Sequence, residues 1–136
     1  MKDFDQRIKE LKLSGRLLVQ QFADIFQMEA SVLEEKVIDA SNLEKDIKLE
    51  HKMTVQLFND LKNSNLSKND KNSRVESVLT YSVKYLEDCE KILDLAKHRE
   101  FDKDIRFKTN FKDLLDYIQN LKSTIVDLES FLQSNS

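Results

Sequence analysis

The chain has 136 residues, of which 35% are charged and 40% hydrophobic, with a net charge of −3. It contains no proline, one glycine and one cysteine. Turn-rich folds and phosphate-cradling loops need glycine and proline for their special backbone angles, so long helices with few turns are expected. The charge excludes a basic field for nucleic acid.

Apolar residues recur at helical spacing from Phe4 to Ile38. Ile8, Leu11, Leu18, Phe22, Ile25 and Val32 form the stripe. Gly15 stands where a large residue belongs. A helix-interior glycine costs about 1 kcal/mol relative to alanine, so it marks a close approach or a bend. Glu29 interrupts the stripe, while Phe26, Leu33 and Val37 continue a drifting second line.

The pattern resets near 39–41. Ser41 followed by Glu44 fits a capping box, in which serine and glutamate satisfy free backbone N–H groups reciprocally. A second helix is expected over 41–62, with Leu43, Ile47, Thr54, Leu57 or Phe58, and Leu61 on its stripe. Only Glu50 or His51 is available at its middle position. This is the most polar of the faces, expected to pack on one side or to open readily.

Asn63 to Ser73, NSNLSKNDKNS, reads as a mobile loop, because Asn, Ser and Asp compete for backbone hydrogen bonds. Lys68 to Arg74, the densest basic run, overlaps its end and reads as solvated. Ser73 with Glu76 forms a second capping box. A third helix over 74–99 carries Val75, Leu79, Ser82, Leu86, Cys89, Leu93 and Ala96. Lys97, His98 and Arg99 suit the negative end of its dipole. A break near Glu100 to Asp104 precedes a fourth helix over 104–132.

That last helix repeats Phe107, Phe111, Leu114, Ile118, Leu121, Ile125, Leu128 and Leu132 in four-three alternation. Ile118 and Leu121, central in the stripe, are expected to be buried. Leu115, Tyr117, Val126 and Phe131 flank it. A stripe this wide can bury one side at home and offer the other to a partner helix. The fold class predicted is all-α: a single-domain antiparallel bundle of three to four long amphipathic helices with coiled-coil-like packing.

No residue announces a reaction. A di-iron bundle needs paired Glu-x-x-His motifs, and neither His51 nor His98 has a glutamate three residues before it. Asp94 and His98 share a helix face but supply too few metal ligands. Cys89 on a core stripe is a poor nucleophile. His51 is followed by Lys52 and Met53, without the glycine of a phosphotransfer histidine. Phosphate loops, nucleophile elbows and zinc-protease motifs are missing. Neither an enzyme nor a cofactor or metal is therefore expected. The single cysteine fits a reducing compartment, the charged start MKDFDQRIKELK is unlike a signal peptide, and no apolar run spans a membrane. A soluble cytoplasmic protein is the expectation. Phe101, Phe107 and Phe111 gather near the last break. Tyr81, Tyr85 and Tyr117 lie off or beside the stripes, as fillers of the bundle's ends and flanks.

Leu17 to Lys62 resembles the N-terminal part of the flagellar export chaperone family FlgN. Glu29, Leu33, Asp39, Leu43, Lys52, Leu57 and Leu61 take similar places, and Glu50-His51-Lys52 departs from the family's plain Glu-Lys pair. The resemblance implies a small cytoplasmic chaperone that works without ATP. It would bind the helical C-terminal tail of hook-associated proteins, with the client along the last helix. The partner-binding residues expected there come from the apolar stripe alone: Phe107, Phe111, Leu114, Leu115, Ile118, Leu121, Ile125, Leu128, Phe131 and Leu132. The competing expectation is a structural subunit of an obligate hetero-oligomer. In either case the partner is a protein met through helix packing, and a second copy of the chain is another partner of that kind.

Overall fold

A computed structural model describes residues 3–27 and 40–135. Helix α1 spans Phe4–Gln27, α2 Ala40–Lys62, α3 Lys68–His98 and α4 Lys108–Ser134. Two 3-10 turns, Phe101–Lys103 and Ile105–Phe107, join α3 to α4. The described residues form an all-α bundle without strands. The second half of the first expected helix, with Glu29, Val32, Leu33 and Val37, lies outside the described residues. Residue 39 and the Ser41 side chain of the first capping box also lie outside them, while residues 40 and 41, placed in the expected break, already belong to α2.

Side-chain contacts fix the helix directions. Arg7 meets Asp60 at 2.9 Å, so α1 and α2 run antiparallel. Arg74 meets Asp5 at 3.2 Å, and Arg99 donates to the Phe26 carbonyl at 3.1 Å, so α1 and α3 run parallel. Asn72 and Asn135 are 3.4 Å apart, so α3 and α4 run antiparallel. Phe58 and Phe131 stack edge to face with centroids 5.5 Å apart, which sets α2 parallel to α4. Consecutive helices alternate in direction, yet α2 and α3 are not side by side: α3 lies along α1 and α4, and α2 closes the square opposite it. Five residues reach about 17 Å, enough for the diagonal of helices 8–10 Å apart, which is about 11–14 Å.

The expected loop is shorter than the sequence suggests. Ser67, not Ser73, is the N-cap of α3, its Oγ accepting from the Asp70 N–H at 3.1 Å. Ser73 sits inside the helix, where its carbonyl accepts from the Ser77 hydroxyl. The basic run Lys68 to Arg74 is therefore helical, and only 63–67 connect. Lys71 donates to the Lys62 carbonyl at 2.9 Å and Ser64 to the Leu61 carbonyl at 2.7 Å, which caps the end of α2. Free terminal carbonyls need such donors. Anchoring of Asn72 and Arg74 to other helices completes the override of local propensity.

Helix α4 starts at Lys108 rather than 104. Glu100 adopts the left-handed conformation, φ 61° and ψ 26°, and ends α3. Asp104 then accepts from the Arg106 N–H at 3.0 Å and holds the second 3-10 turn. Phe101 and Phe107 stack at 4.5 Å, and Phe26 packs on Phe101, Phe107 and Phe111. This aromatic plug closes one end of the bundle.

The core joins Leu18, Phe22 and Phe26 of α1, Leu57 and Leu61 of α2, Val75 and Cys89 of α3, and Leu114 and Leu128 of α4. Its centre holds two tyrosines that the periodicity set aside. Tyr85 and Tyr117 cross α1 at Gly15, where a Cβ would stand 2.7 Å from Tyr85 Cε2 and 3.1 Å from the Tyr117 hydroxyl. Tyr85 donates to the Lys12 carbonyl at 2.7 Å. The close approach at Gly15 is thus made by aromatic rings. Because α3 serves two neighbours, its buried face is wide and takes in Val78, Tyr81, Tyr85 and Ile92, while Leu79, Leu86 and Leu93 sit at its edge.

Candidate functional site

The stripe of α4 faces its own chain. Phe107, Leu114, Ile118, Leu121 and Leu128 are buried. Phe111, Phe131 and Leu132 are half-buried against the core, and Ile125 is half-buried. Of the ten residues expected to bind a partner, only Leu115 is exposed. Ile118 and Leu121 are buried as expected. A client cannot lie along this stripe unless the bundle opens.

The open apolar surface is elsewhere. Leu13 and Leu17 of α1 are 56% and 54% exposed, and Leu49 and Met53 of α2 are 56% and 41% exposed. Each pair is spaced i, i+4, which stacks two side chains on one helix face. The antiparallel packing of α1 on α2 brings both pairs to the same groove, about 370 Å³ in volume. Leu11, Ser14 and Leu18 line its floor with Glu50. A large apolar side chain gains about 1.5–3 kcal/mol on full burial, so four of them in one groove hold binding free energy not yet used. Gln21 of α1, Glu10 and Asp46 line the groove with them.

Glu50 is the one ionisable group at the bottom. It is 8% exposed. Ser14 donates to one carboxylate oxygen at 3.2 Å and Tyr117 to the other at 3.3 Å. Burial pushes the carboxyl up to about 7, against the two hydroxyls, which favour the ionised form. Burial, together with the Glu50 carboxylate, raises the phenols of Tyr81 and Tyr117 above their ordinary range. The Cys89 thiol is pushed up to about 12, first by burial and next by Asp88. Cys89 is thus a core thiol without nucleophilic character. The heptad spacing Leu43, Ile47, Glu50, Thr54, Leu57, Leu61 already puts Glu50 rather than His51 on the core face.

The opposite side of α2 carries a second cleft of about 410 Å³, toward α3 and α4. Its walls are core residues such as Leu57, Val75 and Leu128, and Val55 is the one markedly exposed apolar side chain there. Near the start of α4, Asn110 and Asp113 are buried with polar atoms lacking partners among the described residues. Burial and the nearby Glu44 raise the Asp113 carboxyl to about 6. Periodicity does not mark Asn110 and Asp113, which lie beside the unbroken α4 stripe, while Glu50 reads as a polar gap in the stripe of α2.

Among the described residues no three His, Cys, Asp or Glu side chains come together as a metal site. His98 and Asp94 are exposed at the end of α3. No described helix is long and apolar enough to cross a membrane. No family model, curated protein or solved structure matches the chain.

Proposed function

We propose that this chain is a non-enzymatic protein-binding module, a four-helix bundle that takes a helix of another protein in its α1–α2 groove. The observation that carries the reading is the convergence of Leu13, Leu17, Leu49 and Met53 on one groove between α1 and α2. Helix-in-groove recognition uses apolar anchors at i, i+3 or i+4 spacing against such a floor. The α4 stripe, spent on the core, holds the module together. The reading suits an export chaperone of the kind the resemblance implies, with its client in the α1–α2 groove instead of along α4. It also suits a subunit of a larger assembly. The two differ in whether the chain melts cooperatively when alone.

The test is a displayed library of amphipathic helical peptides, selected on the full chain. Binders should lose at least about tenfold in affinity on Leu17→Asp or Met53→Asp, since a charge then faces the apolar anchors. Both positions are exposed, so the melting temperature should stay unchanged. Binders indifferent to both substitutions would refute the site.

A further inference from the structure

The chemistry of the groove narrows its occupant. Three carboxylates, Glu10, Asp46 and Glu50, line it, and no lysine or arginine does. Glu50 is held by two neutral hydroxyls at 3.2 and 3.3 Å. Each carboxylate oxygen thus has one neutral donor and no cation, and O–H···O⁻ bonds are normally shorter, 2.5–2.7 Å. Its hydrogen-bond partners from other helices are Ser14 of α1 and Tyr117 of α4, and Tyr81, Tyr85 and Cys89 of α3 lie close enough to feel its charge. None of these is a cation. His51 and Asp46 are its neighbours on α2, His51 on the opposite cleft and Asp46 in the groove.

A second copy of the chain fits poorly here. In a two-fold dimer the same concave surface faces itself, which leaves the groove unfilled and sets carboxylates against carboxylates. A convex element with a cation fills both needs. The long stem of lysine or arginine lies well on apolar surface while its head reaches a polar group. Here the stem would pass among Leu13, Leu17, Leu49 and Met53, and the head would reach Glu50 beside Ser14.

We propose that the occupant of the α1–α2 groove is an amphipathic partner helix whose apolar anchors flank a lysine or arginine, and that this cation pairs with Glu50. The proposal rests on the binding reading above and adds the charge of the partner. The experiment is a helical-peptide library with leucines fixed at i and i+4 and neighbouring positions randomised, selected in parallel on the wild-type chain and on Glu50→Gln. Lysine and arginine should be enriched at least about threefold on the wild type and not on Glu50→Gln. Replacing the selected cation by glutamine should weaken binding about tenfold on the wild type and less than about twofold on Glu50→Gln. Asp46→Asn, at an exposed position, should reduce the same preference and serves as the second variant should Glu50→Gln fail to fold. Leucine-dependent binders without a cation preference would overturn this inference and leave the binding reading standing. Absence of any binder sensitive to Leu17→Asp would overturn both. A dimer of the chain that Leu17→Asp dissolves would give the groove to a second copy and overturn the inference.

Discussion

Glu50→Gln should make the protein more stable, and only above mildly acidic pH. The free carboxyl titrates near 4.5, and in the fold burial holds it at about 7. A carboxyl whose folded value is raised favours folding while protonated. Its contribution is fully present below pH 4.5 and is lost as pH rises through about 7. The interval corresponds to about 3 kcal/mol. Glutamine keeps the shape, stays neutral and still meets the Ser14 and Tyr117 hydroxyls. At pH 8 the variant should therefore gain up to about 3 kcal/mol, or roughly 10 °C in melting temperature for a chain of this size. At pH 5 the difference should have shrunk to about 1 kcal/mol or less. Urea unfolding followed by circular dichroism at pH 5, 6, 7 and 8 measures the difference, in which all other titrations cancel. The Asp113 carboxyl, raised to about 6, leaves a residual slope of the same sign in both proteins. Parallel pH profiles, or a variant less stable at pH 8, would refute the burial of an ionised carboxylate at this site.

Three further outcomes are expected. Gly15→Ala should destabilise by about 1–2 kcal/mol in urea unfolding, although alanine is the better helix former, because its Cβ meets the Tyr85 ring anchored on the Lys12 carbonyl. A more stable Gly15→Ala would mean that the ring yields freely. Ile118→Asp should cost several kcal/mol, since it buries a charge without a partner in the core; an unchanged melting temperature would show that the α4 face is open in the isolated chain. Ser67→Ala should cost about 1 kcal/mol and Ser73→Ala almost nothing, and equal effects in thermal melts would contradict the placement of the α3 cap.

Local periodicity determined much about this protein. The lack of proline and near lack of glycine settled the all-α class. The four-three stripes marked Leu18, Phe22, Leu61, Leu114 and Leu128 as core, and the α4 stripe foretold the burial of Ile118 and Leu121. A stripe states which face of a helix leaves water, since that depends only on spacing along one helix. It does not state which helix it meets. That α3 lies parallel beside α1, with α2 across the diagonal, follows from the summed fit of four faces and from a connection long enough for either route. The start of α3 at Lys68 depended on Ser67, Asn72 and Arg74 finding partners that local propensity does not contain. Glu50 looked like a flaw in a polar helix because its two hydroxyl donors stand 36 and 67 residues away in sequence. Leu13, Leu17, Leu49 and Met53 looked like scattered surface residues until the antiparallel packing of α1 on α2 placed them on one groove. Contacts between distant residues arise only when the helices assemble, and the candidate site is made of such contacts.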